Sequence, residues 1–161
     1  MDMDLRLVKP MANRIIQANE SHSHDIAPLF NEYRQFYGCK DDVEAGELFI
    51  RTRLHEGSSV IFFARSPQGL GLGFVQLYPS FSSLNLAPIF ILNDVFVTQH
   101  ARCVGLGRAL VQRAADYARS QGARYLVLET QKENLRAQGL YEALGFVRDQ
   151  QFVTYELELN P

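Results

Sequence analysis

The chain has 161 residues, with 16 Lys and Arg against 18 Asp and Glu and a formal net charge of −2. Hydrophobic residues make up 47% and charged residues 21%, which excludes wholesale disorder, and the slightly acidic balance excludes a general nucleic-acid binder. The length suits one domain with its own core, and two cysteines, Cys39 and Cys103, exclude a disulfide framework and fit a reducing, cytoplasmic compartment.

Residues 1–12 read as a disordered lead, leaving 13–161 as a single domain. Acids stand near the N-terminus where a secretory signal carries bases. The stretch between Arg65 and Asp94 has no charged residue, but Pro67, Gly69, Gly71, Gly73, Pro79 and Pro88 interrupt it. It therefore reads as buried strands, and no membrane contact is expected.

Arg14 to Ala18 fits a short first strand. Ser21 to Asp25 offers helix caps before Ile26, Leu29, Phe30, Tyr33, Phe36 and Tyr37, which recur at helical spacing up to Gly38. Pro28 is read as lying in the first turn, where a proline is tolerated. A second helix runs from Asp41-Asp42 to Gly57, with Val43, Leu48, Phe49 and Leu54 apolar. Ser59 to Arg65 and Gly71 to Tyr78 form a hairpin about Ser66-Pro67-Gln68-Gly69, and Ile89 to Val97 is a strand broken at Asn93-Asp94.

The texture then alternates. Leu106 to Gln121 is an amphipathic helix, Tyr125 to Glu129 a strand, Glu133 to Leu144 a helix closed by Gly145, and Gln151 to Leu159 a final strand. This is a mixed α/β sheet in one domain, mostly antiparallel in its N-terminal half and strand–helix–strand–helix afterwards.

The informative segment runs from Val95-Phe96-Val97 through Arg102-Cys103-Val104-Gly105-Leu106-Gly107-Arg108. A buried strand enters a loop, and a glycine pair opens a helix whose first N–H groups lack partners and whose dipole favours an anion. That arrangement suits a pyrophosphate, although a tight turn explains two glycines as well. The third small residue of a dinucleotide fingerprint is missing, and no Gly-Lys-Ser/Thr marks a Walker loop. Cys103 with His100 makes a poor nucleophile pair in such a loop, and His22 with His24 lacks a third metal ligand, so no metal is expected.

Arg102-Cys103-Val104-Gly105-Leu106-Gly107 resembles the Arg/Gln-x-x-Gly-x-Gly/Ala loop of the GCN5-related N-acetyltransferases (GNAT). Asn134-Leu135-Arg136-Ala137 with Tyr141 and Gly145-Phe146 resembles the same family's Asn-x-x-Ala-x-x-x-Tyr-x-x-x-Gly-Phe helix. The resemblance implies a GNAT-like fold and acetyl-CoA as cosubstrate. Its arm would pair with the backbone of Val95, Phe96 and Val97, its pyrophosphate would lie on the amides of Cys103 to Arg108, and Asn134 would bond the arm. Tyr141 stands at the general-acid position, although a core tyrosine would occupy the same place.

The strand Ile91 to Val97 is similar to that of the polyamine and thialysine acetyltransferases and the fungal histone/D-amino-acid branch. In the polyamine enzymes a Leu-Glu-Asp triplet stands where this chain has Leu92-Asn93-Asp94, so the glutamate proposed there for the amine proton is Asn93 here, which cannot act as a base. Asp94 or Glu129, directly or through water, would substitute, or bulk water takes the proton; Asp94 reads equally as a structural residue. Tyr33 and Tyr78, with Asn93, are candidates for the acceptor cleft.

The implied function is acetyl transfer to a primary amine of a small molecule, a polyamine or an amino-acid-like compound, by direct attack in a ternary complex. A protein or peptide lysine acceptor, or a noncatalytic acyl-CoA-binding module, are the alternatives. A homodimer is expected, since the bare stretch between Arg65 and Asp94 offers apolar strand surface for a subunit contact. Charge is unevenly spread: Glu20 to Glu56 sums to −4 and Ala101 to Leu140 to +4, suiting a cationic acceptor at one end and an anionic cosubstrate at the other.

Overall fold

A computed structural model describes residues 14–160; the lead expected over 1–12 lies outside the described residues. Two compact units are present, one ending at Glu129 and one beginning at Thr130.

In the first unit, β1 (Arg14–Gln17), β2 (Val60–Arg65), β3 (Gly71–Ser82), β4 (Ala87–Val97) and β5 (Leu126–Val127) form a sheet in chain order. All neighbours are antiparallel except β4 and β5, which run parallel. Helices α1 (Ser23–Phe36) and α2 (Val43–His55) cover one face and α3 (Leu106–Ser120) the other. Residues 72–77 of β3 are consequently all buried, which explains a continuous apolar run in place of alternation.

On the first face Ile26, Leu29 and Phe30 of α1 and Ile50 of α2 pack on Ile61, Phe63, Phe74 and Phe96. On the second, Tyr117 of α3 meets the rings of Phe62 and Phe90 at 5.5 and 5.7 Å. Beneath them Leu106, Leu110, Val111, Ala114 and Ala118 are buried.

Several expectations are corrected. The entry to α1 is capped by Asn19, whose side chain accepts from Ser21 N–H while His22 accepts from Asn19 N–H. The helix therefore starts at Ser23, and Pro28 lies inside it instead of in its first turn. Pro28 and His24 are both exposed, so the proline, which has no N–H to give the His24 carbonyl, sits on the outer side of the helix. The contact face of α2 is centred on Gly46 and Ile50, with Leu54 packed at its edge and the Phe49 ring stacked on Phe30 at 5.6 Å, whereas Val43 and Leu48 are exposed. A Cβ on Gly46 would stand 3.3 Å from Phe30 Cδ1, so the glycine permits close approach to α1.

The strand expected over Tyr125 to Glu129 is reduced to Leu126–Val127, because only these residues pair with β4, at Phe90 and Ile91. Nor is β4 broken at Asn93-Asp94. It runs through them with a bulge: Leu92 pairs with Leu77 and Asp94 with Gln76, leaving Asn93 as the extra residue.

The second unit contains α4 (Leu135–Ala143), capped by Asn134 through Ala137 N–H at 3.2 Å and followed by Gly145 at φ 92°. The helix is shorter than the expected Glu133 to Leu144. No strand forms over Gln151 to Leu159, against expectation; all of these residues are exposed. Their alternating pattern is that of a strand, but a strand exists only as part of a ladder, and none of the described ladders includes them.

Candidate active site

The bulge at Asn93 determines what faces what. In a strand, each residue's N–H and C=O point to one side and its neighbour's to the other. Before the bulge, Phe90 N–H donates to Tyr125 and Pro88 C=O accepts from Arg124, so these even-numbered residues face β5. After it, Thr98 N–H donates to Leu72 C=O on β3 at 2.9 Å. The odd-numbered Val95 and Val97 therefore turn their backbone groups away from β3. Beyond Ile91 β5 no longer pairs with β4, and that edge is left outside the sheet's described ladders.

The extra residue also re-aims side chains. Leu92, opposite Leu77, belongs to the α3 face, whereas Asp94, opposite Gln76, and Phe96, opposite Phe74, belong to the α1–α2 face. Asp94 is thereby delivered into an apolar layer, 4% exposed. A buried carboxylate must find donors there. Gln76 Nε2 donates to Oδ2 at 2.5 Å and Asn93 Nδ2 to Oδ1 at 3.1 Å. Tyr33, from α1, adds its hydroxyl. Gln76, fully buried, is itself fixed by Ser59, whose Oγ donates to Oε1 at 2.7 Å.

Tyr33 and Tyr78 share this environment. Burial first, and then the charge of Asp94, push the phenol of Tyr33 far above its usual range. The same two causes raise Tyr78 to about 12, against a smaller opposing pull from Arg53. Both phenols stay neutral near neutral pH, and each offers oxygen lone pairs beside a carboxylate. Tyr33 also stacks in an aromatic group, its ring centroid 6.2 Å from Phe30, 5.9 Å from Phe74 and 6.3 Å from Phe96. Aromatic faces and a carboxylate with neutral hydroxyls are groups that chemically suit a cation.

The far end of β4 leads to the glycine loop. After a turn at Gln99–Ala101, Cys103 adopts φ 66° and Gly105 φ 82°, so the chain coils before α3 begins at Leu106. A Cβ at Gly105 would meet nothing within 4 Å, so the space beside the loop is open. The amides of Leu106 and Gly107, in the helix's first turn, have no intrahelical acceptor. An anion fits this donor set. The side chain of Arg102 is turned elsewhere: its Nε donates to Val97 C=O at 2.9 Å and its guanidinium lies 5.8 Å from the Phe96 ring. It braces the loop against β4. Val104 and Arg108 are exposed, while the Leu106 side chain is buried.

The structure thus brings Tyr33, Tyr78, Asn93 and Asp94 together and carries the same strand through Val95, Phe96 and Val97 to the loop. Glu129 is exposed, two residues past β5. In the second unit, Tyr141 is half-buried on α4 with its ring 5.7 Å from Phe146, and Asn134 uses its side-chain oxygen as the helix cap. Gln76 and Ser59 were missed from the sequence. A lone glutamine inside Gly73-Phe74-Val75-Gln76-Leu77-Tyr78 was the available signal, since a polar side chain in a buried run needs a partner. Among the described residues no group of three His, Cys, Asp or Glu side chains is arranged to hold a metal ion.

Residues 25–146 match the acetyltransferase (GNAT) family. The chain belongs to that family. The uncharacterized N-acetyltransferase YhfO of Bacillus subtilis (strain 168) is 46% identical over 145 residues, 90% of this chain and 97% of its own. A solved structure of a probable acetyltransferase superposes with TM-score 0.86 at 41% identity, covering 92% of this chain and 99% of that one. The branch expected from the sequence is represented by the thialysine N-epsilon-acetyltransferase of Bos taurus, 27% identical over 140 residues, 81% of this chain and 82% of its own. The protein is an acetyl-CoA-dependent N-acetyltransferase.

Proposed function

We propose that residues 13–161 act as a single acetyltransferase domain that moves the acetyl group of acetyl-CoA to a primary amine of a small cationic molecule, a polyamine or an amino-acid-like compound. The observation that carries this reading is the buried Asp94 carboxylate flanked by the neutral hydroxyls of Tyr33 and Tyr78. An ammonium group answers both the charge and the lone pairs. Support for a small acceptor also comes from the relative named for thialysine Nε acetylation.

Acetyl-CoA supplies an acetyl thioester. The outward backbone of Val95 and Val97 suits an extended arm laid beside β4, and the amides of residues 103–108 suit its pyrophosphate. Asn134 adds its side-chain N–H₂, since its oxygen already caps α4. The Val95 N–H polarises the thioester carbonyl as charge develops on its oxygen. Asp94 takes the amine proton, directly or through the Tyr33 hydroxyl, with Glu129 receiving it at the surface. The free amine then attacks directly, with no acyl-enzyme. Tyr141 gives its phenolic proton to the departing thiolate. Asn93, unable to serve as base, helps orient Asp94. The enzyme works in the cytoplasm as a homodimer, for which Phe81, Leu84 and Leu86, exposed about the β3–β4 turn, offer apolar contact surface.

An acceptor panel tests the reading. Diamines and ω-amino amino acids should be acetylated, with rates that fall as salt rises, and Tyr141→Phe should lower kcat while leaving the KM for acetyl-CoA within about twofold. Preference for uncharged amines would sink the acceptor assignment, and an unchanged kcat would remove Tyr141 as the acid.

A further inference from the structure

The acetyl-transfer reading leaves the buried amide of Gln76 without a role. Gln76 lies on the central strand β3 with no exposure at all, surrounded by Phe74, Val75 and Leu77. Its immediate neighbours along the strand, Val75 and Leu77, are apolar, and a buried amide is costly unless both its ends are satisfied. Here both are. Ser59 Oγ donates to Oε1 at 2.7 Å, which fixes the amide's orientation, and Nε2 is thereby directed at Asp94 Oδ2.

The bulge is what makes this pairing available. Gln76 and Asp94 are register partners on the sheet only because Asn93 is the unpaired residue. From this geometry we infer that Gln76, oriented by Ser59, is a positioning residue that sets the carboxylate plane of Asp94 for the amine proton. The inference rests on the reading of Asp94 as the group that receives that proton.

The mechanism is one of lone-pair allocation. Gln76 occupies Oδ2 and Asn93 occupies Oδ1, one donor on each oxygen. The Tyr33 hydroxyl also donates to this carboxylate. With the plane fixed, that hydroxyl has one orientation, and its lone pairs are turned from the carboxylate toward the acceptor amine. Tyr78 from β3 and Tyr37, just past the end of α1, also act on Tyr33, and Arg53 from α2 acts on Tyr78. None of them holds the carboxylate's plane. If the amide is lost, Asp94 is free to rotate, Tyr33 follows it, and the proton path loses its alignment.

Gln76→Met keeps length and volume but removes both polar ends. It should lower kcat for the amine by roughly ten- to hundredfold, the cost of a misplaced reacting group, while the KM for acetyl-CoA stays within about twofold. Ser59→Ala, a smaller change at the edge of the core, should lower kcat in the same manner by a lesser factor. Ser59→Thr, which keeps the hydroxyl, should restore most of that loss. Acetyl-CoA must still raise the melting temperature of each variant, which shows that it is folded. A kcat unchanged in folded Gln76→Met, or equal losses in Ser59→Ala and Ser59→Thr, would overturn the positioning role. Asp94→Asn separates this from the reading beneath it. A collapse of kcat there with Gln76→Met unaffected leaves Asp94 in place and removes Gln76. An unaffected kcat in Asp94→Asn removes Asp94 itself.

Discussion

Tyr33 and Tyr78 stand beside the same carboxylate, and the two are kept protonated by burial and by the charge of Asp94. That has a consequence for stability. A phenol titrating near its ordinary value of 10 in the unfolded chain and at about 12 when folded binds more protons in the native state over the interval between. Its contribution is therefore complete below pH 10 and is lost as pH rises toward 12. Denaturant unfolding should show stability falling between about pH 10 and about pH 12, and Tyr78→Phe should flatten part of that fall. A slope unchanged by the substitution would mean that the phenol of Tyr78 does not titrate differently in the folded protein. At neutral pH the substitution removes only a half-buried hydroxyl, so the two effects are separable.

At the level of elements, β3 and β4 carry the site, and their close pairing depends on Gly73. A Cβ there would stand 2.6 Å from Phe96 C=O and 3.2 Å from Val97 Cα, both backbone atoms that cannot swing aside. Gly73→Ala should thus destabilise by about 1–3 kcal/mol, the usual cost of overpacking, and impair acetyl-CoA binding through displacement of Val97. A thermal melt and a titration check the two parts. Most of these elements were legible from periodicity, because amphipathic α3 and the runs of β2 and β3 each have one register that buries them. The bulge was not legible, since it belongs to two strands together and one strand read alone shows only a polar interruption at Asn93-Asp94. For the same reason Gln76 gave no hint of Asp94. Ile50 was overlooked in α2 because Leu48 and Phe49 beside it are more conspicuous, yet exposed. The final segment had the alternation of a strand and still formed none, because alternation states a preference and pairing decides it.

Across the whole molecule the net charge of −2 conceals two opposite regions. Glu20 to Glu56, which includes α1 and α2, sums to −4, and Ala101 to Leu140, which includes the glycine loop and α3, to +4. Not all of the positive charge is available to a ligand: Arg102 is bonded to Val97, Arg113 stacks over Phe62 at 4.3 Å and Arg119 pairs with Asp116 at 2.7 Å. Backbone amides and the helix dipole must then supply much of the anion affinity, and these are less sensitive to salt than exposed side chains. In the proposed arrangement acetyl-CoA gives its pyrophosphate to the loop and an amide-bearing arm to the outward groups of Val95 and the Val97 N–H, Val97 C=O being held by Arg102, whereas ATP has phosphates and adenosine but no such arm. At about one hundred times its dissociation constant a ligand adds about 2.7 kcal/mol, worth roughly 5–10 °C for a chain of this size. Acetyl-CoA should reach that shift and ATP at equal concentration should fall well short of it. Added salt should reduce the acetyl-CoA shift only modestly, since the arm's hydrogen bonds are uncharged. Equal shifts from the two nucleotides would mean that the β4 edge contributes nothing to cosubstrate binding and that the loop alone holds it.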